Sequence, residues 1–478
     1  MTTSSPTSVA VTDRRLNAIS LVLVLGAFTT LLDTTIVNIA LDHLHTAFGA
    51  SVAQTQWVTT AYLLAFVAVI PVSGWFSERI GSRNAWMVAV GTFLAGSILC
   101  GLVDSLPALI GFRVLQGIGG GMVLPITISI LTRAAGKPRI GRAMIAVALP
   151  AQLAPILGSV LGGLILQSLH WHWLFFVNVP FCLAALALGP WVLPATSGSR
   201  HHRFDSLGFA LLTPAIVAIA YGISQAPEHG GFLAVAAWSP IAGGIALLAA
   251  FTFHSLHARR PALLDVRLFT RRSFGLTSIV TFVSGFSVYA VMFLLPLFYQ
   301  QVRGESVLAT GLLLIPQGLG TMLFFVVLRR FAAAVDARIV VAAGVLMTMI
   351  GILPFALAGA EGGTALMLAG QVLQGIGFGA ATFPVMTLAF ASLGHDEAPR
   401  GSAAFSVVQR VGAPFGVAVI AIILQNLLDD ATTQAGHLAA FAHSFWWTIG
   451  LSAVPLLIAF FLPAAETSNE PAPPASVE

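Results

Sequence analysis

Long apolar runs, each broken off by a cluster of charged or turn-forming residues, recur along the whole chain. At about 20 residues apiece they are long enough to cross a bilayer as helices. None shows the short two-residue alternation of a barrel strand. The pattern predicts spans near 16–40, 54–74, 85–104, 107–132, 140–167, 171–193, 206–224, 233–254, 274–300, 308–328, 339–359, 365–392, 403–425 and 444–463. The expected fold class is therefore an all-α polytopic membrane protein with fourteen transmembrane helices.

Composition agrees with this reading. Of 478 residues 57% are hydrophobic and 8% charged, with mean hydropathy +0.92, more apolar surface than a soluble fold could hide. Charge placement sets the topology, because Lys and Arg collect in cytoplasmic loops. With the N-terminus inside, all but three of the 22 basic residues fall in cytoplasmic segments. Arg303 falls in an outer loop, and Arg113 and Arg410 fall within spans. Both termini are thus expected in the cytoplasm, the chain lying in the cell inner or plasma membrane. The net charge of +4 reflects that topology, which removes the case for a nucleic-acid partner.

Cys100 and Cys182 lie far apart without CxxC spacing and read as small apolar packers. The first span follows Arg14 and Arg15, but its apolar stretch is too long for a cleaved signal and Asp33 interrupts it. No GxxxxGK[ST] occurs, since Gly136-Lys137-Pro138 lacks both the upstream glycine and the hydroxyl residue. The chain is expected to be no enzyme, to carry no cofactor and to draw energy from a gradient.

An internal repeat organises the spans. Val114-Leu115-Gln116-Gly117-Ile118-Gly119 in the fourth recurs as Val372-Leu373-Gln374-Gly375-Ile376-Gly377 in the twelfth, 258 residues on. Ser51-Val52 with Ser306-Val307, Arg83 with Arg338, and Ala154-Pro155 with Ala413-Pro414 follow at nearly the same offset. Spans 1–6 therefore correspond to spans 9–14, and spans 7 and 8 stand between them. The expected units are a cytoplasmic segment 1–15, a six-helix bundle 16–193, a linker with two inserted helices 194–273, a second six-helix bundle 274–463 and a disordered tail 464–478.

Three segments carry a family resemblance: Leu32-Asp33-Thr34-Thr35-Ile36-Val37-Asn38-Ile39-Ala40 in span 1, Arg113-Val114-Leu115-Gln116-Gly117-Ile118-Gly119-Gly120-Gly121 in span 4, and Trp171-His172-Trp173-Leu174-Phe175-Phe176-Val177-Asn178-Val179-Pro180 at the start of span 6. Over nearly its whole length the chain resembles the fourteen-span drug:proton antiporters of the major facilitator superfamily. That resemblance implies two six-helix halves rocking about a site near the bilayer midplane. It also implies a conformational gate in the loop after span 2, here Gly74, Glu78, Arg79 and Arg83. Glu78 stands where the superfamily usually has Asp, and Ser82 where it has Arg. Span 5 carries a degraded Gly-Pro antiporter motif, Pro155, Gly158 and Gly162, which implies export; ordinary tight helix packing accounts for these residues equally well.

Asp33 is the only carboxylate buried in the predicted spans, away from their ends, and an intramembrane ionisable group is a functional hypothesis by default. Counting from the span ends puts Asp33 and Arg113 at one depth, about 10 Å below the outer surface. Desolvation favours a neutral carboxyl and a nearby cation favours the charged form, so separating such a pair links proton binding to conformational state. A purely structural ion pair between spans 1 and 4 is the alternative. Asn38 and Gln116 are candidate partners in substrate or proton contacts. Phe282, Phe286, Tyr289 and Phe293 form an aromatic stripe on span 9, suited to lipophilic cations, although such stripes also face lipid or core. Arg410 lies about 7 residues from the cytoplasmic end of span 13, within reach of snorkelling to headgroups. His43, His45, His170 and His172 near the outer face read as loop residues and not as a zinc site. Asp205, Asp265 and Asp336 are expected in loop salt bridges.

The expected function is proton-coupled antiport, exporting amphipathic, cationic or neutral organic compounds by alternating access. Its partners would be a small-molecule amphipathic substrate, protons and the lipid bilayer, with the protein a monomer. A proton-coupled uptake symporter and a non-transporting receptor or scaffold remain open alternatives.

Overall fold

Backbone amides and carbonyls cannot be satisfied by lipid, so an apolar chain of this kind crosses a bilayer only as helices that close their own hydrogen bonds, or as a closed barrel. The computed structural model describes residues 12–196, 198, 204–227, 231–258, 263–331, 335–357, 363–394, 397–429, 431 and 433–462, and among these it is helical with no strand. The first group is α1 (Asp13–Ile39), α2 (Leu41–Phe48), α3 (Val52–Ile80), α4 (Ser82–Cys100), α5 (Leu106–Ser168), α6 (Trp173–Phe176) and α7 (Asn178–Val192). Next come α8 (Ser206–Gln225) and α9 (Val235–His257), packed on each other. The last group is α10 (Arg272–Leu297), α11 (Val307–Leu313), α12 (Ile315–Phe331), α13 (Ala337–Leu357), α14 (Thr364–Ala391), α15 (Ala398–Asp429) and α16 (Gln434–Ala459).

Thirteen described stretches are long and apolar enough to cross a membrane. The fourteenth expected span, near 140–167, is the second part of α5 and is not among those thirteen. The loop expected at 133–139 is also corrected: the chain stays helical through it except at Gly136, where φ 65° and ψ 170° break the run. Only a residue without a Cβ adopts that backbone cheaply, so one glycine serves as the whole connection. Span 10 is broken at Leu314 into α11 and α12, and the expected outer loop after span 1 holds the short α2.

Hydroxyls inside the helices mostly satisfy themselves. Thr29, Thr30, Thr34 and Thr35 donate to carbonyls three residues back, and Ser444, Thr448 and Ser452 to carbonyls four back. Among the described contacts, the loop aspartates accept mainly from backbone amides and act as caps more than as salt bridges to arginine. Asp205 accepts from Gly208 N and Leu263 N and pairs with His254 of α9, while Asp265 and Asp336 accept from Arg267 N and Arg338 N.

The repeated glycines explain themselves as packing. On α5 a Cβ at Gly117 or Gly121 would strike the backbone of Tyr62 or Phe66 in α3, and one at Gly119 the backbone of α4. Their counterparts on α14, Gly375 and Gly377, meet α12 and α13 in the same way, and Gly379 meets the Phe324 side chain of α12. Each half is thus built around one glycine-lined helix that lets two neighbours approach closely.

One buried core joins the halves toward the face carrying the Arg-rich helix ends, here called the basic face. It runs from Phe66, Ile130 and Ile140 to Phe324, Phe383 and Phe405. Toward the far face the core divides: Ile36, Val58, Leu109 and Phe175 belong to one cluster in the first half, and Leu294, Phe298, Phe355 and Phe445 to another in the second. The halves are closed on the basic face and have separate cores beyond it.

Two ion pairs flank the start of α15 there. Glu78 accepts from Arg400 Nη2 at 2.6 Å, joining α3 to α15 across the halves. Arg271 grips both oxygens of Glu397 at 2.7 and 2.6 Å. Hydrogen bonds from Arg271, then from the Gly394 amide, hold the Glu397 carboxyl below its usual range. That contribution is present above the unfolded carboxyl's pKa and is lost as pH falls through the folded one. Side-chain exposures of 48% and 35% keep it small.

Candidate functional site

Asp33 projects from the middle of an apolar helix into a fully buried space between α1, α5 and α7. Burying a lone carboxylate is costly unless it is paired and hydrogen-bonded, and every described contact works to that end. Arg113 Nη1 donates to Oδ2 at 2.5 Å, while Gln116 Nε2 and Asn178 Nδ2 donate to Oδ1 at 2.8 and 3.1 Å. Arg113 and Gln116 lie three residues apart on one face of α5, and Arg113 Nη1 also donates to Gln116 Oε1 at 2.7 Å.

The guanidinium is held from other sides as well. Its Nε donates to Val58 O at 3.1 Å, and its Cζ lies 4.0 Å from the centre of the buried Tyr62 ring. Asn178 is braced by Ser97, whose own hydroxyl donates to Phe175 O. Among the described residues, Arg113 Nη2 and Asn178 Oδ1 have no protein partner. A buried pair with an unused donor and an unused acceptor nearby can pass a proton through a single bridging water.

Two of these residues were not expected. Asn178 lies in the quoted span-6 segment, where a lone amide in an apolar helix was the available signal. Tyr62 gave none, because a tyrosine in a span reads as core. At the repeat-related position in the second half, Gln371 replaces Arg113 and donates to Tyr299 Oη at 2.7 Å, a neutral copy of the site.

The other expected site residues divide into separate groups. Gly158 is buried against Thr35 of α1, and Gly162 is buried in α5; the side chains of Asn38 and Pro155 lie outside those described. Gly74 abuts the backbone of Pro399 and Arg400, one turn from the Glu78–Arg400 pair. Arg83 donates to Pro190 O within the first half, and Arg79 closes the last turn of α3. On α10, Phe282 and Phe286 pack on Phe415 of α15, centroids 6.3 and 5.8 Å apart. Phe293 borders the second-half core, and Tyr289 is half-buried. None of the four supplies a described partner to Asp33.

Arg410 corrects the snorkelling expectation. Its guanidinium lies 4.4 Å from the centre of the Phe66 ring of α3, so it points across the junction of the halves and not to headgroups. Near the far face, His43, His170 and Trp171 line a cleft of about 420 Å³. Among the described residues no group of His, Cys, Asp or Glu could hold a metal ion.

The family model described as Major Facilitator Superfamily matches residues 23–417 and 277–477. The chain belongs to the Major Facilitator Superfamily. It is 34% identical over 405 residues to a multidrug resistance protein B homolog of Mycobacterium tuberculosis, covering 84% of this chain and 75% of that protein. With a putative multidrug resistance protein MdtD of Yersinia enterocolitica it shares 30% over 461 residues, 95% and 96% of the two chains. A double tryptophan mutant of XylE superposes with TM-score 0.65 at 17% identity, over 94% of this chain and 96% of that one. XylE from E. coli in a partially occluded inward-open conformation gives 0.60 at 15%, over 95% and 99%. The chain is a multi-pass membrane transporter, and no enzyme.

Proposed function

We propose that the protein exports amphipathic organic compounds by alternating access in exchange for protons, with Asp33 the proton site and Arg113 its electrostatic partner. The observation that carries this is the isolation of one carboxylate, fully buried in the first half, held by one guanidinium and two amides. When the helices shift and Arg113 withdraws, the carboxyl gains a proton; when the pair closes again, the proton leaves. The multidrug resistance relatives support the substrate breadth. The Arg-rich loops support cytoplasmic termini in an inner or plasma membrane, and the repeat supports two six-helix units, 16–193 and 274–463, with 194–273 between them.

In proteoliposomes holding a trapped pH dye, adding substrate should drive proton movement through the wild type and none through Asp33→Asn. Equal proton flux in both proteins would place the proton elsewhere and overturn this assignment. Asn keeps an acceptor for Arg113, so the variant is expected to fold and still bind substrate.

The closed basic face is the state that the Glu78–Arg400 pair favours. Both side chains are largely buried, at 9% and 17% exposure, where a charged hydrogen bond contributes about 1.5–3 kcal/mol. In Glu78→Gln the amides of Ala398, Arg400 and Gly401 should exchange with deuterium about tenfold faster, and Glu78→Arg/Arg400→Glu should restore most of the protection. Unchanged exchange in Glu78→Gln would mean that the pair latches nothing.

A further inference from the structure

Three Asp, Glu, Lys or Arg side chains lie deep in the predicted spans: Asp33, Arg113 and Arg410. The first two neutralise each other completely. Arg410 is left, half-buried, with an aromatic face beneath it and, among the described residues, no carboxylate or other acceptor in contact. Arginine does not give up its proton in proteins, so this is a permanent, uncompensated positive charge about 18 Å along α15 from its basic-face end. Such a charge is expensive inside a membrane unless something pairs with it.

Its surroundings are aromatic and lie where the two halves meet. Phe66 lies on the first half and Arg410 on the second, so the contact straddles the junction. On the second half Phe282 packs against Gly412, two residues beyond Arg410, and Phe415 touches both Phe282 and Phe286. Half of the expected aromatic stripe therefore lies at the depth of Arg410. Beyond it the halves have separate cores.

We infer that Arg410 is the charge a substrate pairs with, and that the preferred substrates are aromatic or amphipathic anions, carboxylates above all. A guanidinium offers two parallel donors to a carboxylate, and the phenylalanines cover the apolar remainder. A lipophilic cation, the class expected from Asp33 alone, would meet a net positive site. The inference rests on the proposed transport function for its setting, but it concerns binding and can be tested apart from flux.

The probes are two xanthene dyes of similar size, anionic fluorescein and cationic rhodamine 123, with binding to purified protein read by fluorescence polarisation and flux in inverted vesicles. Fluorescein should bind the wild type at least tenfold more tightly than rhodamine 123. Arg410→Gln should lose that preference at least tenfold, Arg410→Lys should keep part of it, and all three proteins should run as the same species on gel filtration. If Arg410→Gln fails to fold, the drop in fluorescein affinity on going to Arg410→Lys, absent for rhodamine 123, decides the point. Equal fluorescein binding by wild type and variants, no fluorescein binding at all, or tighter binding of rhodamine 123 overturns the inference. Arg410-dependent binding without flux supports the inference while removing the transport reading.

Discussion

Arg113→Leu is expected to destabilise the protein by about 3–5 kcal/mol, the usual cost of stripping one partner from a buried ion pair. The leucine leaves Asp33 with only the amides of Gln116 and Asn178 and frees Val58 O from its donor. It also removes the cation from the Tyr62 face. Removing both charges, in Asp33→Asn/Arg113→Leu, should recover most of the loss, since a neutral pair carries no desolvation penalty. Apparent melting temperatures in lipid nanodiscs at one scan rate would show the pattern: a large drop in Arg113→Leu and a much smaller one in the double variant. If Arg113→Leu melts with the wild type, Asp33 does not depend on Arg113 for its charge. The double variant also separates folding from function, because it should fold and still move no protons.

Gly119→Val is expected to prevent stable assembly of the first half. A Cβ at Gly119 would lie 2.7 Å from both Ala89 O and Phe93 Cα, and backbone atoms cannot swing aside as a side chain can. Overpacking a core usually costs about 1–3 kcal/mol, and here two helix axes must part along their length. Gly377→Val should act alike in the second half, against Gly344 O at 2.5 Å. Gly91→Val and Gly111→Val, with open space at their Cβ positions, are the controls and should express normally. The readout is the yield of monodisperse protein from membranes. Normal yield of Gly119→Val would mean that the close approach of α4 and α5 is not required.

Much of this architecture could be read in the chain because lipid imposes a simple rule, that each span is a long apolar run closed by polar residues. The same rule exposed Asp33 and Arg113, since charge within such a run has few explanations. Where it failed, local backbone decided: Gly136 turns the chain between two spans in one residue, so the basic cluster at 133–139 reads as a loop although it stays helical. Arg410 was misplaced for a different reason. Depth along a helix can be counted, but the direction a side chain takes around the axis depends on its neighbour, and here that neighbour is Phe66 from a helix over 300 residues earlier. Asn178 stands in its motif without a legible role, because an amide has no charge to account for.

The inserted pair α8 and α9 bears on access. α8 packs along both α3 and α15, with Thr213 bonded to Ala68 O and Trp75 against Phe204 just before α8. Phe232, between α8 and α9, rests on Phe415. One flank of the molecule is thereby shuttered from the acyl chains. On the opposite flank α5 meets α11 and α12 directly. The two flanks of the junction are therefore unlike, one sheathed by an extra helix pair and the other bare helix against helix.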